Sequence, residues 1–365
     1  MQLVFVRANQ RPTPTKVPKE QAPEIRRSTH SVSAAFALPC LVLLFAYTSL
    51  WFGGASFVSL TNLCFTAVAY QRVLVLYLRK ETIVDVLGVT ATSSFIYTFL
   101  GAASLSFHLK HTLSTPAHYF DILAGTMLMT HVLYVLLSIN LYWFVLSRAP
   151  RYKKRFVLLS SASYIAAVTI MVSLFEDVHQ SQREIYLTAT VCVGVLYLSL
   201  HRKFTASPTR ALSETLVVLT CIVAASSSQA EHMGRNYRSG SDEYDFYHGN
   251  WHFLLSVGTS IVYSRCTDAI LNIEDGRELT LCCSTPWLDR VGLLLLGLYS
   301  VLLLTLKESG VDISVAIGTM SVVAIALALH AGVTAHQTWL VTSMEAHKGC
   351  VSKLLHRLFT AEEFI

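Results

Sequence analysis

The chain has 365 residues, of which 53% are hydrophobic and 14% charged, with a mean hydropathy of +0.49; an ordinary soluble domain carries roughly 25% charged residues. That shortage of charge excludes a soluble domain of useful size. The net charge of +5 calls for no nucleic-acid partner, because it is gathered in alternate loops between apolar runs that suit a lipid bilayer.

In chain order, residues 1–30 carry four prolines and six Lys/Arg and no apolar run, so they are predicted to form a disordered cytoplasmic tail and not a cleavable signal. Ten apolar runs follow, at about 34–52, 56–78, 83–108, 119–146, 156–176, 184–201, 211–230, 245–264, 291–306 and 313–340. A run of about twenty such residues crosses a hydrocarbon core about 30 Å thick as a helix. The predicted fold is therefore all-α, a polytopic bundle of transmembrane helices. The run at 119–146 is longer than one span needs, and the one at 291–306 is short.

The positive charges set the orientation. Arg79 and Lys80, then Arg148 to Arg155, then Arg202, Lys203 and Arg210 occupy alternate loops, on the same side as the basic N-terminal tail. The positive-inside rule places that side in the cytoplasm. Ten spans return the segment 341–365 to the same side, and the loops near Gly53, His111, Glu176 and Ser239 then face away from it.

Eight cysteines form no CxxC pair. Four sit in apolar runs as small hydrophobes, and the other four are expected on the reducing side, so no disulfide framework is expected.

Ionisable residues inside a membrane are costly and each needs a reason. Arg72 is expected to snorkel towards the interface. Asp85 and Glu214 stand near helix starts, where the helix dipole favours a carboxylate. His330 and His336, with no second ligand close in sequence, are expected to be packing or interface residues.

One group resists such readings. Ser104 and His108 end the third run, Asp121 opens the fourth, and His248 and His252 open the eighth, all at the extracytoplasmic ends of their helices. Ser104 and His108 are four apart, as are His248 and His252, so each pair projects from one helix face. Two histidines at i and i+4 can grip one metal ion. A third from another helix leaves the fourth position open, the catalytic form of zinc coordination. His111 and His118 compete for that third place, but they fall in the loop, so His108 is preferred.

This pattern of serine, histidine, aspartate and HxxxH resembles the signature of the CREST superfamily. That group includes alkaline ceramidases, the adiponectin receptor family and the post-GPI-attachment phospholipase and myomaker branch. The strings Ser59-Leu-Thr-Asn62-Leu-Cys-Phe65, Leu78-Arg-Lys-Glu-Thr-Ile-Val-Asp85 and His248-Gly-Asn-Trp251-His252 look most like the last branch. The resemblance implies a seven-helix core over 56–268, and the apolar runs outside it leave an extra span at 31–55 and two more over 269–340 with a cytoplasmic linker. The added C-terminal spans and the lack of cysteines between His108 and Asp121 depart from the branch pattern.

The resemblance also implies Zn2+ held by His108, His248 and His252. Asp121 would orient or deprotonate the attacking water, and Ser104 would hydrogen-bond that water or the developing oxyanion. The implied activity is hydrolysis of an amide or ester acyl linkage in a membrane lipid, ceramide-like or of GPI or glycerolipid type. No GxSxG elbow surrounds Ser104, which argues against a covalent serine mechanism. The alternative is a non-enzymatic, receptor-like or fusion-related protein with a structural zinc site. A transporter fits less well, because no inverted repeat or pair of broken helices is found.

Overall fold

The computed structural model describes residues 33–53, 56–79, 84–110, 116–141, 190–200, 208–234, 242–275 and 286–334. The expected span at 156–176, both tails, His111 and His336 lie outside the described residues, as do the side chains of Asp85 and His118. The described residues are helical, with no strand among them.

A 3-10 turn, Ser33–Phe36, leads into α1 (Ala37–Trp51). Then come α2 (Phe57–Thr61), α3 (Leu63–Arg79), α4 (Val84–Lys110) and α5 (Pro116–Leu141). After α6 (Thr190–Leu200) follow α7 (Pro208–Gly234), α8 (Asp242–Asp275), α9 (Pro286–Glu308) and α10 (Ile313–Thr334).

Four segments are long and apolar enough to cross a membrane: Val86–Leu109, Tyr119–Asn140, Trp287–Glu308 and Ile313–Thr334. Their outward faces expose Phe95, Leu137, Leu294, Val322 and Leu329. A surface of that kind fits lipid and not water, and it marks the chain as a membrane protein. The segment expected to be short, 291–306, is part of the 22-residue Trp287–Glu308.

The organising element is α8, whose 34 residues extend about 51 Å at 1.5 Å per residue. It packs against α1, α2, α3, α4, α5 and α7. Its polar residues His248, Asn250, His252, Ser256, Thr259, Arg265 and Asp268 are all buried. Enclosure by protein lets the helix carry groups that a lipid-facing helix could not. Its first turn holds Asp242, Glu243 and Asp245, where carboxylates complement the exposed N–H groups, and Ser56 donates to Asp245 at 2.7 Å.

The run expected as one span over 56–78 is divided at Asn62. Thr61 Oγ1 and Asn62 Nδ2 both donate to the Val58 carbonyl, each at 3.0 Å. Side chains that compete for backbone acceptors bend or interrupt a helix. Both pieces then lie close against their neighbours: a Cβ on Gly249 would stand 2.4 Å from Phe57 Cδ1 of α2, and one on Gly101 would stand 2.8 Å from Thr66 Oγ1 of α3. Glycine at both positions is what allows helices to approach so closely.

Two readings of buried charge are corrected. Arg72 does not snorkel: it is buried, donates from Nε to Ser93 Oγ at 3.0 Å, and lies 4.9 Å from the Tyr263 ring centroid. Glu214 is not a carboxylate favoured merely by a helix start. It is fully buried and takes two hydrogen bonds from Arg265, at 2.7 and 2.8 Å, with a third from Tyr197 at 2.7 Å. Arg265 also reaches Asp268 at 3.3 Å. A fork-to-fork pair of this kind offsets the desolvation of both ions, and breaking it strands a buried charge. The boundary expected at residue 268 falls inside α8, which runs on to Asp275.

α1 and α9 both close on the back of α8. The hydroxyls of Tyr47 of α1 and Tyr299 of α9 lie 2.9 Å apart and both lie within hydrogen-bond reach of Asn250 Oδ1, so their two hydrogens are shared among the three oxygens. Trp51 Nε1 donates to Ser321 Oγ of α10 at 2.9 Å. The flanking helices thus clamp α8 beside the two histidines.

Candidate metal centre

His248 and His252 occupy successive turns of α8, and Ser104 and His108 successive turns of α4. The contact of α4 and α8 brings the three imidazoles together, with ligand nitrogens within 4.8 Å of one another. His108 Nε2 and His248 Nε2 are 3.1 Å apart. Two nitrogens on one tetrahedral ion, each at 2.0–2.1 Å, stand about 3.3 Å apart, so this pair is already spaced for a shared cation. Ser104, His108, Asp121, His248 and His252 are all buried, at 8% exposure or less. All five sequence-predicted site residues are described: α4 and α8 supply four, and Asp121 stands at the start of α5 within reach of the Ser104 hydroxyl.

Hydrogen inventory sets the protonation of His252. The hydroxyl of Thr61 spends its single hydrogen on the Val58 carbonyl and lies 3.2 Å from His252 Nδ1. A hydroxyl whose hydrogen is committed can only accept, so Nδ1 carries the proton and Nε2 keeps its lone pair. That Nε2 faces the site, 3.2 Å from Ser104 Oγ. An outer hydrogen bond that fixes the tautomer of a ligating histidine is the usual support for a metal site.

Asp121 Oδ1 is buried with no hydrogen-bond partner among the described residues. An acceptor of this kind is costly unless a donor, such as a water, joins it. Three imidazoles, a carboxylate and a hydroxyl are donor types that suit a divalent cation, and the residues fit a bound divalent ion.

Aromatic rings hold the imidazoles. Tyr244 stacks on His248 with centroids 5.1 Å apart and planes 10° apart. Trp251 lies 5.1 Å from the same ring, and Phe65 meets His252 edge-on at 5.6 Å. Sequence reasoning singled out neither Thr61 nor Tyr244. Tyr244 had a signal, since it continues the four-residue stripe of His248 and His252; Thr61 had none, because its contact with His252 is made across helices 191 residues apart in the chain. Comparison with family models, curated proteins and solved structures returns no match.

Proposed function

We propose that this chain is a zinc-dependent integral membrane hydrolase of the CREST type, cleaving an acyl amide or ester of a membrane lipid. The observation that carries the reading is the convergence of three buried imidazoles beside a carboxylate oxygen that lacks a partner among the described residues. The same reading takes α2–α8, with the segment between α5 and α6, as a seven-helix core. It places both ends of the chain on the cytoplasmic face and the histidines near the opposite face.

His108, His248 and His252 would hold the ion, which when bound supplies Lewis-acid polarisation of an acyl carbonyl and lowers the pKa of water towards ~7. Asp121 takes the proton of the attacking water and returns it to the departing amine or alcohol. Ser104 donates its hydroxyl hydrogen to the oxygen on which negative charge builds, an interaction that is strongest in the transition state. Thr61 keeps the His252 ring in the required tautomer. Apolar helix faces open to lipid let an acyl chain approach sideways.

A structural zinc site without turnover is the second reading, favoured by the enclosure of all five side chains. The partnerless Asp121 oxygen favours catalysis instead, since a purely structural site gains nothing from it. The two separate on one experiment. Purified protein is assayed for bound metal by mass spectrometry and for fatty-acid release from ceramide, GPI and glycerolipid panels, with and without chelator. Metal with chelator-sensitive release is expected; metal without release from any panel would favour the structural reading, and absence of metal would overturn both.

A further inference from the structure

The face of α8 opposite the histidines is held by the two flanking helices. Asn250 is two residues from His248 and two from His252, a turn of about 200° in each direction. It therefore stands midway between them along the axis and looks the other way. On that side Tyr47 of α1 and Tyr299 of α9 put their hydroxyls 2.9 Å from each other and within bonding reach of Asn250 Oδ1. All three side chains are buried.

The amide is oriented before the tyrosines meet it. Asn250 Nδ2 donates to the Phe246 carbonyl one turn back, at 2.8 Å, which leaves Oδ1 to accept from the two hydroxyls. Aromatic packing seals the contact: Phe246 stacks on Phe57 with centroids 5.9 Å apart, and Tyr47 meets Phe57 edge-on at 4.9 Å. A buried polar group closed off from water is either satisfied or costly, so a key of this kind admits few rotations of the helix that carries it.

Rotation is what the histidine centre can least tolerate. A ligand nitrogen roughly 6 Å from the helix axis moves about 1 Å when the helix turns by about 10°, whereas metal–ligand distances hold to within about 0.2 Å. We propose that Asn250 is a positioning residue for the histidine centre, through which Tyr47 and Tyr299 key α8 at the rotation where His248 and His252 meet His108. The two helices flanking the core then set the metal affinity. This assignment rests on the reading of the histidines as a metal site.

Full-length protein in detergent is stripped of metal, and zinc affinity is measured by competition with a chromophoric chelator well below the melting temperature of every variant. Two hydrogens serve three oxygens, so either tyrosine alone still supplies Asn250 Oδ1 with a donor. Tyr47→Phe and Tyr299→Phe are therefore each expected to stay within about threefold of wild type. The double variant and Asn250→Leu are expected to bind zinc roughly 10- to 100-fold more weakly, the range for groups that support metal-bound histidines. Cobalt(II) in the site reports coordination geometry through its visible bands. These bands are expected to change in the double variant and in neither single one.

Glu214→Gln supplies the control, since it weakens the buried bonds to Arg265, thirteen residues along α8 from His252, without touching the Asn250 contact. Its melt should fall while its zinc affinity stays within about twofold of wild type, as expected for distant sites. Equal loss of affinity in Glu214→Gln and in the double variant would reduce the effect to general destabilisation and overturn the assignment. So would zinc binding by the double variant within about twofold of wild type; that variant keeps the ring packing and serves if Asn250→Leu does not fold. If wild type binds no zinc, the metal centre fails and the positioning role with it. If wild type binds zinc and the variants bind it as well, only the positioning role fails.

Discussion

Thr61→Val keeps the outline of a buried side chain and deletes its hydroxyl, the group lying 3.2 Å from His252 Nδ1. The imidazole N–H then loses an acceptor, at a cost of about 1–3 kcal/mol for a buried donor. The ring can relieve that cost by moving its proton to Nε2, which withdraws the lone pair offered to the metal. Either route weakens binding, and 1–3 kcal/mol corresponds to roughly 5- to 150-fold in affinity. Outer-shell partners of metal-bound histidines lie in the same range, about 10- to 100-fold. Competition against a chromophoric zinc chelator measures the change directly. Thr61→Ser, which keeps the hydroxyl, should stay within about threefold of wild type. If Thr61→Val bound zinc within twofold of wild type, or if Thr61→Ser lost as much, the tautomer argument would be wrong.

Asp121→Asn should retain metal and fold while losing lipid hydrolysis by roughly two or more orders of magnitude, within the range for removal of a general base; full turnover would refute its role, and loss of zinc would recast it as a ligand. His108→Ala, His248→Ala and His252→Ala should each lose most of the bound metal, read by mass spectrometry, because two protein donors remain. Glu214→Gln should cost about 1–3 kcal/mol by weakening the charge-assisted hydrogen bonds from Arg265 and Tyr197, with Asp268 left to neutralise Arg265, seen as a lower melting temperature with zinc content per folded chain preserved; an unchanged melt would show the pair to be dispensable. Tags at residues 1 and 365 should resist protease applied outside sealed cells while a tag near Ser239 is cut, and the reverse pattern would overturn the orientation.

Much of the molecule was legible in the sequence because bilayer and helix impose simple periods. Apolar runs mark spans, since backbone polar groups in lipid must bond internally, and the four-residue spacing marks pairs on one helix face. Ser104, His108, Asp121, His248 and His252 could therefore be named from position along the chain, and the structure brings the three histidines together. What only tertiary structure decided depends on which polar groups meet across helices. Local charge and dipole arguments misread Arg72 and Glu214, because the partners that define them, Ser93 and Tyr263 for one and Arg265 and Tyr197 for the other, come from distant helices. The break at Asn62 was hidden inside a continuous apolar run, where two side chains bonding one carbonyl outweigh helix propensity. Hydropathy marks where lipid ends, but it does not record which buried donor faces which acceptor.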